Sequence, residues 1–136
     1  MIEPYRFDRV FTAGVGLGND PVDDGWSAFD QEHLWFATPP RQLSARDHVF
    51  ALGAGRRSAV LGLYEVTRGG PLERPANPWD PGRWRWNIGV RALATVPPAV
   101  ATRVDGVIAP RSTAARVREP ALIRALYEAL GEQPGL

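Results

Sequence analysis

Three of the five tryptophans and three arginines gather between Trp79 and Arg91, and within that stretch Arg83, Trp84, Arg85 and Trp86 alternate strictly. Successive side chains of an extended strand point to opposite faces, so Trp84, Trp86, Ile88 and Val90 share one face and Arg83, Arg85 and Arg91 the other. Such a strand packs a core with one side and can meet an anion with the other. Guanidinium groups pair bidentately with phosphate and stack on flat rings, and nucleic acid is the commonest large anion. The plainer alternative is a solvated charged face over two core tryptophans.

What is missing narrows the chemistry. All 16 basic residues are arginine and there is no cysteine. Schiff-base lysines, the phosphate lysine of nucleotide-binding loops and thiol nucleophiles are therefore excluded. Only His33 and His48 carry imidazoles, and neither sits at a metal-ligand spacing. His33 reads as the start of a strand and His48 as a residue just after a turn. The carboxylates Asp20, Asp23 and Asp24 lie among proline and glycine, the composition of a loop. Gly14, Gly16 and Gly18 are not followed by a capped amphipathic helix, so they do not form a phosphate loop of the usual kind. The inventory favours a binding protein without cofactor or metal over an enzyme.

The chain has 136 residues and a formal net charge of +1. Such a length suits one domain with a core of its own. A GC-rich genome accounts for arginine replacing lysine. Near-neutrality argues against coating long duplexes, because each phosphate contact needs a cation, but leaves room for local basic patches. The N-terminus lacks an apolar signal segment and no run is long enough to span a membrane, so a soluble cytoplasmic protein is expected.

These residues must be held by something, and the pattern supplies mostly strands. Tyr5 to Gly14, His33 to Thr38, Asp47 to Leu52 and Ser58 to Thr67 read as strands, the last two as a hairpin around Gly53 to Arg56. A loop from Gly69 to Gly82 leads into the Arg/Trp strand, which reaches about Val96, and Val104 to Ala109 suggests one more short strand. Ser112 could cap a short turn before Pro120. From there Leu122, Ile123, Leu126, Tyr127 and Leu130 recur at helical spacing, with Gly131 as a stop. The expected class is α+β, mainly β: a small mixed barrel with peripheral helices, one of them C-terminal.

The block Leu43-Ser44-Ala45-Arg46-Asp47-His48-Val49-Phe50-Ala51, followed by Val60-Leu61-Gly62-Leu63-Tyr64-Glu65-Val66, resembles the centre of a PUA-like domain. In that superfamily, which includes the EVE, ASCH and YTH modules, a leucine-x-x-Gly-Asp turn opens one strand and a Val-x-Gly-x-x-x-Val strand pairs with it. The resemblance spans about Phe11 to Leu130 and is greatest to EVE domains. Two departures stand out. Arg46 replaces the glycine before the aspartate, and Ala51-Leu52-Gly53 replaces a polar Tyr-His-Ser.

The resemblance implies a module that binds DNA or RNA and accepts a modified, methylated or hydroxymethylated base into an aromatic pocket. A flipped base must recover lost stacking, which flat side chains provide. Trp26 and Trp35 fall where the resemblance puts such a pocket, with Asn19 as a candidate for the base edge. Core packing for the tryptophans and turn chemistry for Asn19 are the competing readings. Arg41, Arg83, Arg85 and Arg91 are the candidates for backbone phosphates. By analogy the module would be the sensor of a modification-dependent restriction system, partnered by a nuclease domain or protein. The rivals are a small-molecule or nucleotide-binding module and an ASCH-type hydrolase using Asp47 or Glu65 to activate water. In the non-enzymatic readings Asp47 instead holds a turn and Glu65 faces outward or pairs with an arginine.

Overall fold

β-branched and aromatic residues at alternating positions build strands that bury two faces. A computed structural model describes residues 8–15, 33–36, 42–53, 59–73, 86–96, 101–107 and 114–131. Among the described residues six strands form one mixed sheet: β1 (Val10–Val15), β2 (His33–Phe36), β3 (His48–Gly53), β4 (Val60–Glu73), β5 (Trp86–Thr95) and β6 (Ala114–Val117). Their order is β2-β5-β4-β3-β1-β6, with β1 and β3 parallel and every other neighbouring pair antiparallel. One helix, α1 (Pro120–Gly131), follows. The architecture is mainly β with a C-terminal helix, and no helix among the described residues is long and apolar enough to cross a membrane.

The central position of β3 explains its composition. Val49, Phe50, Ala51 and Leu52 are all fully buried, because alternate residues enter different cores. Phe11, Val49, Tyr64, Val66, Ile88 and Val90 belong to one cluster. Val10, Phe50, Leu52 and Leu63 pack with Ile123, Leu126, Tyr127 and Leu130 of α1 in the other. Burial holds the Tyr64 phenol above its ordinary pKa, so it is neutral in the core. The expected alternation of β5 is met at Ile88 and Val90, which are buried, and at Arg91, which is exposed.

Gly62 marks a tight crossing. A Cβ there would lie 3.0 Å from the Ala94 carbonyl oxygen and 3.2 Å from a Tyr64 ring carbon. A side chain here would need its neighbours to give by a few tenths of an ångström, so the close strand–strand approach favours glycine.

Three sequence expectations differ from the structure. β4 runs to Glu73 rather than yielding to a loop at Gly69, because register shifts let Leu72 and Glu73 pair with Asn87 and Trp86. Pro71 falls inside the irregular stretch, where no ladder donor is needed. Ala114–Val117 is a strand and not a capped turn; pairing with β1 supplies the backbone partners a lone four-residue segment lacks. Of the strand expected from Val104 to Ala109, residues 104–107 are not a strand, a lone bridge joins Ala59 to Arg103 just before them, and Gly106, at φ 87°, turns the chain; residues 108 and 109 lie outside the described residues.

His48 opens β3 just after the turn, as its place in the sequence implies, but on a central strand it is only 5% exposed, and its Nδ1 shares a 2.6 Å hydrogen bond with the Tyr127 hydroxyl. The ring of Tyr127 meets Phe50 edge-on at 5.0 Å between centroids. The polar contact thus joins α1 to the sheet inside an apolar setting. Tyr127→Phe keeps the ring and deletes the hydroxyl, and is expected to lower stability by about 1–2 kcal/mol. Urea unfolding reads this directly. An unchanged midpoint would mean that the bond adds nothing to helix docking.

Candidate functional site

The turn before β3 is built around one carboxylate. Asp47, 3% exposed, accepts the Ser44 backbone N–H through Oδ2 at 2.8 Å. The Arg9 guanidinium grips both oxygens, Nε to Oδ1 at 3.0 Å and Nη2 to Oδ2 at 2.6 Å. The same Nη2 donates to the Gln42 carbonyl at 2.7 Å, and the guanidinium lies 5.1 Å from the centre of the Phe11 ring. The hydrogen bond to Asp47, against a smaller opposing effect of desolvation, raises the Arg9 pKa above its ordinary value. Gln42 in turn donates to the Ala114 carbonyl, tying the turn to β6. Asp47 therefore has a structural task as a turn residue.

Arg46 is exposed, and its backbone is strained. Its φ is 75°, the left-handed region that costs a residue with a Cβ about 1–2 kcal/mol. The Arg46 N–H donates to the Val66 carbonyl at 2.7 Å, and the Val66 N–H to the Asp47 carbonyl at 2.8 Å. Val66 thus faces both Arg46 and Asp47, a bulge that closes the β3–β4 ladder at the turn.

From the turn a polar row crosses the sheet. His48 is directly opposite Glu65 on β4, and Glu65 is directly opposite Arg91 on β5. Residues facing each other in an antiparallel ladder share a face, so all three lie on the α1 side. Exposure grows along the row: His48 is buried, the Glu65 side chain is 28% exposed and that of Arg91 is 65%. Arg91 Nη2 donates to Glu65 Oε1 at 2.8 Å. An exposed pair of this kind contributes only about 0.2–1 kcal/mol and can exchange Glu65 for another anion. Both carboxylates weighed for activating water are thus held by arginines.

Of the sequence-derived site residues, Arg91 lies on the exposed end of this row, and Trp35 lies on edge strand β2 with its backbone opposite Asn87. Trp26, Asn19, Arg41, Arg83 and Arg85 lie outside the described residues. The sequence reading missed Arg68 and saw Arg46 only as a departure in a turn. Arg68 is exposed on β4, paired in register with Gly89. Its signal was weak because it follows a bulge that breaks the alternation from which Arg91 could be read. No group of three or more histidine or acidic residues suited to a metal occurs among the described residues. Comparisons with protein-family models, curated proteins and solved structures find no match to this chain.

Proposed function

We propose that the protein is a PUA-like module, most similar to EVE domains, that binds nucleic acid and recognises a modified base flipped into an aromatic pocket. The observation that carries this reading is the turn from Leu43 to Asp47. At the position where the resembled turn has glycine, Arg46 adopts a positive φ, and Asp47 behind it is buried and fully engaged. Gly62 of the paired strand sits where a Cβ would be tightly pressed, 3.0 Å from the Ala94 carbonyl oxygen of β5. Both small motifs thus perform the backbone tasks that would explain their residue types.

The wider arrangement supports the same reading. The cluster of Phe11, Val49, Tyr64, Val66, Ile88 and Val90 is buried on the face away from α1, as the interior of a sheet curled into a barrel would be. On the α1 side, Arg91 offers a guanidinium to a strand backbone. Trp35, with Trp26, supplies stacking surface, Asn19 reads the base edge, and Arg41, Arg83 and Arg85 join Arg91 on phosphates. The module acts as a sensor in the cytoplasm, and a nuclease domain or protein performs the cleavage.

Binding to a panel of single- and double-stranded oligonucleotides, with and without methylated or hydroxymethylated bases, tests the reading. Tighter binding to one modified strand is expected. Arg85→Ala should weaken modified and unmodified strands alike and lower the logarithmic salt slope by about 0.7–0.9. Equal affinity across the panel would reject base recognition, and an unchanged slope in the Arg83, Arg85 and Arg91 variants would return that row to a solvated face.

A further inference from the structure

A bulge turns one arginine of β4 out of the core. Val66 is opposite Val90 and Arg68 opposite Gly89, so β4 advances two residues where β5 moves one. In a regular strand Arg68 would share the buried side of Val66. Instead, a Cβ at Gly89 would lie 3.1 Å from Thr67 Oγ1 and 3.7 Å from Arg68 Cβ, which puts both residues on the side that Gly89 faces. Gly89 alternates with the buried Ile88 and Val90, so that side is the one carrying Arg91. Thr67 and Arg68 are both exposed there, on the rung next to the one that pairs Glu65 with Arg91. The floor between the two arginines is a glycine. Arg68 and Arg91 are the cations on these rungs and Glu65 is the anion, bonded to Arg91 at 2.8 Å, so the group is positive overall.

We propose that Arg68 and Arg91 clamp one phosphodiester of the bound strand above Gly89, and that the phosphate takes Arg91 from Glu65 as it binds. An exposed carboxylate pair is weak enough for this exchange. A phosphate accepts charge-assisted hydrogen bonds from two guanidinium groups at once and offsets the repulsion between them, and the Thr67 hydroxyl adds a donor beside them. Bulges of this kind re-aim a side chain next to functional sites, which is what the Thr67–Arg68 bulge does for Arg68. The clamp rests on the nucleic-acid reading above. It adds Arg68, which the Arg/Trp pattern does not contain, and makes Glu65 a built-in competitor that sets the strength of the contact.

The test measures binding of a fluorescent single-stranded DNA oligonucleotide across a salt series for wild type, Arg68→Gln, Glu65→Gln, Arg91→Gln and the Glu65→Gln/Arg91→Gln double variant. Arg103→Gln and Asp105→Asn control for net charge, since both residues are exposed in the segment bridged to Ala59, just before β4. Arg68→Gln is expected to weaken binding and lower the logarithmic salt slope by about 0.7, with Arg103→Gln at the wild-type slope. Glu65→Gln should bind about 1.4- to 5-fold more tightly, the range that release from an exposed ion pair allows, and Asp105→Asn should not. The gain should vanish in the double variant, because the competitor acts through Arg91. Should Glu65→Gln fail to fold, Arg68→Gln decides the matter, as its side chain is exposed. A wild-type slope in Arg68→Gln, an equal loss in Arg103→Gln, or a Glu65→Gln gain that is absent, matched by Asp105→Asn or kept without Arg91 overturns the clamp while the nucleic-acid reading stands. Failure of wild type to bind the strand at low salt overturns both.

Discussion

Asp47→Ala is expected to destabilise the protein by about 2–4 kcal/mol. Removing one member of a buried ion pair typically costs about 3–5 kcal/mol, because the remaining charge is left without its partner. Here the Arg9 side chain is 31% exposed and that of Asp47 only 4%, so water can recover part of the loss at Arg9. The remainder comes from the Ser44 N–H, which loses its acceptor, and from a turn that no longer has a centre. Asp47→Asn retains an acceptor for Ser44 but not the charge, and should cost about half as much. Equilibrium unfolding in urea provides the comparison. A loss below about 1 kcal/mol for alanine would show that the Arg9 fork contributes little and that the turn is held by its backbone bonds to Val66.

Trp35→Ala carries the largest expected effect on binding. Stacking of one base on an aromatic ring is worth about 1–3 kcal/mol, so the variant should bind a modified oligonucleotide about 5- to 150-fold more weakly. Its position suits this test: among the described residues β2 is the outermost strand, next to β5. A tryptophan serving the core would behave differently, since emptying its site costs about 3–5 kcal/mol of folding free energy. Affinity and unfolding midpoint measured on the same preparation separate the two. A folded variant with wild-type affinity, or one that simply unfolds, removes Trp35 from the pocket. The same pair of measurements applies to Trp26.

The two experiments bear on different parts of the sheet. Asp47 sets the conformation of the turn that presents Arg46, whereas Trp35 belongs to the far side of β5. A loss of binding in Asp47→Asn without loss of structure would link turn geometry to recognition. Loss of stability alone would confine Asp47 to the fold.

Much of the architecture was legible in local pattern. Apolar runs on either side of a glycine-containing connection located β3 and the first half of β4, period-two alternation located β5, and the three- and four-residue spacing of Ile123, Leu126, Tyr127 and Leu130 located α1 almost to the residue. These elements are strongly amphipathic or wholly apolar, so burial and local preference agree. The turn role of Asp47 and the pairing of Glu65 with an arginine were also foreseeable, since a carboxylate in those settings must find a donor. The exposed side chain of Arg91 followed from alternation with Ile88 and Val90.

Tertiary structure decided the rest, for reasons that local pattern does not contain. β6 exists because the edge of β1 offers it backbone partners, and β4 passes Gly69 and Pro71 because β5 follows it through successive register shifts. His48 is buried because α1 brings Tyr127 to it from 79 positions away. The row from His48 through Glu65 to Arg91 depends on register between strands. Register is a property of paired segments: a shift of one residue would send every side chain to the opposite face. The sequence by itself determined which residues could bind an anion or stack on a base; the folded sheet decided which of them share a surface.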